Sequence, residues 1–83
     1  MDITVRLSEK VVHRDSNGLY QTKEICFELS DKDIPEDAVR DRTLELRLQV
    51  KRFIVNTKLK EGLITVEQGL EELKVYQEAQ NGK

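Results

Sequence analysis

Tryptophan is absent from this 83-residue chain, and cysteine, histidine, proline and methionine occur once each. A single thiol, Cys26, cannot close an internal disulfide. That argues against a disulfide-stapled secreted scaffold, and a reducing cytoplasm is the expected setting. One cysteine and one histidine also fall short of the ligand set of a structural zinc site. Glycine is sparse, and Gly18, Gly62, Gly69 and Gly82 do not cluster into a phosphate-cradling loop. No apolar run approaches the roughly 20 residues that span a bilayer. Met1-Asp2-Ile3-Thr4 lacks the basic-then-apolar layout of a signal peptide. The expectation is a chain with no membrane association and no cofactor.

What the sequence does have is charge, at 36% of residues, against 37% hydrophobic. The formal net charge is only −2, so no whole-molecule attraction to nucleic acid or to an anionic membrane is predicted. The length allows one domain, residues 1–83. A folded chain of this size hides only about 60% of the surface its unfolded form exposes. Its core is expected to be thin, and a second chain is one way to thicken it.

The apolar residues are patterned. Ile3, Val5 and Leu7 alternate with polar residues, as do Ile25, Phe27 and Leu29, which signals two half-buried strands within residues 2–30. Asp15-Ser16-Asn17-Gly18 supplies the turn. A three-residue loop, Ser16 to Gly18 with Gly18 left-handed, pairs Leu7 with Phe27 and Val5 with Leu29. On the other face it pairs Lys10 with Glu24, Arg6 with Glu28 and Thr4 with Ser30. A two-residue loop breaks that parity.

A long helix is predicted over residues 35–60. Asp33 is its expected cap, Pro35 sits early, and Gly62 is the stop. A second helix is predicted over residues 66–80, with Thr65 and Gln68 as a capping box and Val66, Leu70 and Leu73 as its apolar stripe. Residues Asn81, Gly82 and Lys83 are expected to fray. The fold class is therefore α+β, a two-stranded antiparallel hairpin followed by a long and a shorter helix.

The long helix has two apolar faces. At about 100° per residue, Val39, Leu46, Val50, Phe53 and Ile54 fall on one side and Leu44, Leu48, Val55 and Leu59 on the opposite side. An ordinary surface helix has one such stripe. Two stripes need two covering layers, and the hairpin keeps two open strand edges besides. A homodimer would relieve both deficits. The other reading is a monomer whose second helix folds back and suffices.

Charge is segregated along the chain. Arg40, Arg47, Lys51 and Lys58 line one edge of the long helix, while Glu67, Glu71, Glu72 and Glu78 lie in the second helix. The basic line is either a phosphate track on nucleic acid or a solvated flank that pairs with the acidic helix inside the molecule. His13 reads as an exposed strand residue and Cys26 as an inert, partly covered thiol on the opposite face. The carboxylates Asp31, Asp33, Glu36 and Asp37 are explained by the positive end of a helix. No constellation here suits catalysis, and no small-molecule substrate is expected.

Two resemblances bear on the reading. Residues 2 to about 53 resemble small uncharacterised phage- and prophage-type proteins with a long hairpin and a long helix. The likeness is carried by Asn17-Gly18-Leu19-Tyr20 and Pro35-Glu36-Asp37-Ala38, and it implies a mobile-element setting. Leu59-Lys60-Glu61-Gly62-Leu63-Ile64-Thr65 is similar to the short helical hairpins called SHOCT domains, without their basic second helix. Neither resemblance carries over a catalytic residue.

The sequence thus points to a non-catalytic protein-binding module or inhibitor. Its candidate surfaces are the outer hairpin face (Arg6, Lys10, Val12, Thr22, Glu24, Glu28), the tip (Arg14, Tyr20, Lys23) and the second stripe of the long helix. The alternative is a nucleic-acid-binding regulator using Arg40, Arg47, Lys51 and Lys58. A purely structural assembly subunit is a third reading.

Overall fold

Two 12-residue strands open the chain, β1 (Ile3–Arg14) and β2 (Tyr20–Asp31), in a computed structural model that describes residues 1–81. A short 3-10 turn, Glu36–Ala38, leads into α1 (Val39–Lys60), and α2 (Val66–Asn81) follows. The result is the α+β layout that the patterning predicts. Gly82 and Lys83 lie outside the described residues.

The hairpin register is the one the three-residue loop dictates. Leu7 faces Phe27, Val5 faces Leu29, Lys10 faces Glu24 and Arg6 faces Glu28. The Gly18 N–H donates to the Asp15 carbonyl at 3.0 Å, closing a type I turn, and Gly18 itself takes φ +80. Only a residue without a Cβ enters that region at little cost. The carboxylate of Asp15 then anchors the loop, accepting the N–H groups of Asn17 and Leu19 at 2.9 Å each and the Gln21 side-chain amide at 2.8 Å.

The start of the long helix differs from expectation. Asp33 does not cap it with its side chain. Asp33 instead adopts φ 57, a left-handed conformation that aspartate tolerates better than most residues. Its N–H donates to the Asp2 carboxylate at 3.3 Å. Ile34 and Met1 exchange two main-chain bonds, at 2.9 and 3.0 Å, which extends the hairpin base beneath the entering chain. Proline at position 35 then starts the 3-10 turn without a side-chain cap.

The helix end and the second helix start follow the sequence signals closely. Gly62, at φ +70, donates to the Leu59 carbonyl at 3.1 Å, and Leu63 donates to the Lys58 carbonyl at 2.9 Å. These two bonds define a Schellman motif. Thr65 and Gln68 close a capping box: each main-chain N–H donates to the other's side chain, at 2.8 and 3.1 Å.

Both faces of α1 are covered within one chain. Ile3, Val5, Ile25, Leu46, Val50 and Ile54 form the core between hairpin and helix, with Leu7, Val11, Phe27 and Leu29 packed around it. Burying a side chain such as Ile54 contributes about 1.5–3 kcal/mol. On the other face, Val55 is only 1% exposed, and Leu44, Leu48 and Leu59 are half-buried. The cover there is α2, and its contact is close because of Gly69. A Cβ at position 69 would stand 3.0 Å from Val55 Cγ1 and 3.5 Å from Leu59 Cδ1.

Of the predicted stripe, only Leu73 lies on the face that α2 turns inward. Val66 and Leu70 are 65% and 64% exposed, whereas Gly69 is buried and Glu72, Leu73 and Tyr76 are half-buried. Three aliphatics suggested one face, but a glycine that permits close approach and a glutamate with buried lysine partners decide for the neighbouring one.

Candidate functional site

Twelve residues in a strand reach about 40 Å, and the 22 residues of α1 reach about 33 Å. The hairpin therefore overhangs the helix, and the molecule is elongated, 52 × 23 × 18 Å. Toward the tip, the core ends at Val11, packed at its edge, and Lys23 is ion-paired to Glu61 just past the end of α1. Past them lies the tip. Val12 and Leu19 are exposed there, and Tyr20 is 72% exposed with the Arg14 guanidinium 5.2 Å from its ring centroid. Hydrogen bonds from the Leu19 and Asn17 N–H groups and from Gln21, opposed in part by desolvation, hold the Asp15 carboxyl below its ordinary range. Three hydrogen bonds to the Asp15 carboxylate thus tie the tip loop together.

The outer hairpin face carries Arg6, Lys10, Val12, Thr22, Glu24 and Glu28, all exposed. Arg6 donates from Nε to Cys26 Sγ at 3.1 Å, and Ser8 donates to Glu24 at 2.7 Å. Cys26 is exposed, with the Arg6 guanidinium against its sulfur, because among the described residues no element covers the second face of the sheet. His13, expected to be exposed, is instead half-buried, because its odd-numbered position turns it to the inner face, opposite Gln21.

The basic line of α1 divides in two. Arg40 and Arg47 are exposed, and Arg47 reaches Gln80 of α2 at 3.5 Å. Lys51 and Lys58 point inward, at 9% and 5% exposure. Lys51 meets Glu9 at 2.5 Å and Glu72 at 3.4 Å; Lys58 meets Glu9 and Glu72 at 2.6 Å each. Two cations and two carboxylates so join β1, α1 and α2. Lys51 also lies 5.9 Å from the Tyr76 ring centroid. No buried side-chain nitrogen or oxygen lacks a partner among the described residues.

The seam shows in the electrostatics. Burial pushes the Glu9 carboxyl upward, but hydrogen bonds and charge from Lys51 and Lys58 outweigh it and hold the group below the usual range. Burial pushes Lys58 downward, but Glu72 and Glu9 outweigh it and raise the ammonium above its ordinary value. Tyr76 is raised, chiefly by burial. At the hairpin base, the Arg42 guanidinium donates to Asp31 at 2.6 Å and lowers that carboxyl.

A signal for the seam was present in the sequence. At about 100° per residue, positions 40, 47, 51 and 58 fall between the two apolar faces of α1. A line between two covered faces becomes a seam when the covering layers meet over it. Arg40 lies beyond the reach of α2 and remains outside. Of the sequence-selected residues, the tip brings together Arg14 and Tyr20, Lys23 is engaged by Glu61, and Arg6 and Lys10 share the outer face with Ser8 between them.

Among the described residues no cluster of three or more histidine, cysteine, aspartate or glutamate side chains is arranged to hold a metal ion. No helix of the described residues is long and apolar enough to cross a membrane. No family model matches the chain, and neither curated proteins nor solved structures give a match.

Proposed function

We propose that this chain is a non-catalytic binding module that takes a protein partner through its hairpin. The observation that carries the reading is the overhanging tip, where Val12 and Tyr20 at the strand ends and Leu19 of the loop are exposed and the Asp15 carboxylate hydrogen-bonds across the turn. An exposed aromatic beside a cation is a common anchor in protein interfaces, since its area is large and its rotatable bonds are few. The hairpin adds two strand edges that no third strand covers among the described residues. The likeness to phage-type proteins supports a mobile-element setting, and in it such a module would act as an inhibitor in the cytoplasm.

The nucleic-acid reading draws on Arg40, Arg47, Lys51 and Lys58. Glu9 and Glu72 already neutralise the two lysines, which reduces its support. The homodimer reading drew on the second stripe of α1, and α2 now covers that stripe. It retains the open strand edges as its support.

A photo-crosslinking amino acid at position 20, and the same group at exposed Arg52 as a control, test the proposal in lysate of the source cell. The expected result is a discrete protein adduct at position 20 that is absent at position 52. Adducts to nucleic acid that vanish steeply with salt, or equal labelling at both positions, would overturn it.

A further inference from the structure

The alternation of an antiparallel ladder fixes which backbone groups face outward. The Asp15 N–H donates to the Leu19 carbonyl at 2.9 Å, so Asp15 and Leu19 form a hydrogen-bonded pair. Bonded and non-bonded pairs alternate along the ribbon. Odd-numbered residues of β1 are therefore spent on β2, and Thr4, Arg6, Ser8, Lys10 and Val12 turn their N–H and C=O groups to the free edge. At the base Met1, also odd-numbered, turns its main-chain groups the same way, to Ile34, with a one-residue slip on the opposite strand.

That free edge borders a groove. It has a volume of about 420 Å³ and lies between β1 on one side and α1 and α2 on the other. Thr4 and Arg6 form one wall, Thr43 and Arg47 the floor, and Tyr76 and Gln80 the far wall. Its charged lining residues are both arginines, and no carboxylate lines it. On the outer face, Arg6 and Lys10 already stand opposite Glu28 and Glu24 of β2. The positions on their other side, where a third strand would lie, are vacant among the described residues.

We infer that the β1 edge and this groove bind an extended acidic peptide segment of a partner protein as a third strand. The inference rests on the protein-binding reading above and names the partner's chemistry. Main-chain bonds to Thr4, Arg6 and Ser8 give the strand its seat. Alternate residues of the segment carry carboxylates that face Arg6 and Lys10, as Glu28 and Glu24 do from the other side. The intervening residues face the helices and contact the Tyr76 ring, and Arg47 adds attraction from the floor. The length of the groove limits the bound segment to a few residues, so affinity for an isolated peptide is weak.

The test is an NMR titration of the full chain with a blocked octapeptide in which glutamate alternates with valine, and with its glutamine counterpart. The expected result is saturable shifts and slowed exchange at the Thr4, Arg6 and Ser8 amides, with the glutamine peptide weaker. The double variant Arg6→Gln with Lys10→Gln weakens binding about tenfold, from two solvent-exposed ion pairs, while its amide spectrum stays folded. Shifts at the β2 edge instead, equal binding of both peptides, or no binding would overturn the inference. Inorganic phosphate reproducing the same shifts without slowed edge amides marks a small-anion site and overturns it too. Crosslinking at position 20 that persists while the peptide fails leaves the broader proposal standing and removes only this strand.

Discussion

Replacing Lys58 by methionine keeps most of the side-chain volume and removes one of the two cations of the seam. Lys58 has a side chain only 7% exposed, and each carboxylate partner is about 30% exposed or less, at 27% for Glu9 and 30% for Glu72. Fully exposed ion pairs contribute about 0.2–1 kcal/mol, whereas removing one partner of a buried pair costs about 3–5 kcal/mol. The seam lies between these limits. The packing of the stem is retained by methionine, so the expected loss is about 2 kcal/mol. After the change, Glu9 and Glu72 share only Lys51, and Lys51 stands 3.4 Å from Glu72. For a chain of this length that loss lowers Tm by roughly 8–16 °C. Thermal and urea unfolding, followed by circular dichroism, measure it. Combining Lys58→Met with Glu72→Gln should cost less than the sum of the two single changes, by about 1 kcal/mol. A Lys58→Met stability within about 0.5 kcal/mol of the parent, equal to that of the exposed Arg40→Met, would refute the reasoning.

Three further outcomes follow from the same geometry. The Glu9 carboxyl is held below its ordinary value, so its contribution is complete above the unfolded-state value near pH 4.3 and is lost as pH falls through the lower folded one. Glu9→Gln therefore flattens the acid limb of a stability–pH curve, and an unchanged limb contradicts the pairing. Gly69→Ala would gain about 1 kcal/mol on an open helix surface; against Val55 at 3.0 Å the gain is cancelled, and urea titration should find a net loss of about 1 kcal/mol. Leu70→Ser should be nearly neutral in the same assay and Leu73→Ser should not, because Leu70 is 64% exposed and Leu73 packs inward.

Much of this molecule can be read from local signals. The turn chemistry of Asn17-Gly18 and the alternation of Val5, Leu7, Phe27 and Leu29 leave one register that satisfies both faces. Gly62, Thr65 and Gln68 mark their helix ends by direct backbone chemistry. The features that escape such reading depend on how layers meet. Whether Leu70 or Gly69 faces α1 is settled by close approach, and apolar spacing in α2 favours the wrong neighbour. Pairing of Lys51 and Lys58 with the acidic helix is one of the readings the sequence offers and Glu72 fulfils it, but the part of Glu9 depends on β1 meeting the same line, which no single helix reveals. Asp33 escapes because its left-handed backbone is imposed by the chain reversal at Met1 and Ile34. The tip residues Arg14 and Tyr20 are legible as exposed, since no helix is long enough to reach them, but their partner is not encoded in any spacing.

Whether one chain covers both faces of α1 is open to a direct distance measurement. Isotope-filtered NOE spectra on a mixture of labelled and unlabelled chains separate contacts within a chain from those between chains. Cross-peaks from the Val55 methyl groups to Gly69 and from the Lys51 side chain to the Tyr76 ring should arise within single chains. If those cross-peaks appear only between differently labelled chains, α2 covers a second copy instead, and the single-chain sandwich described above is wrong.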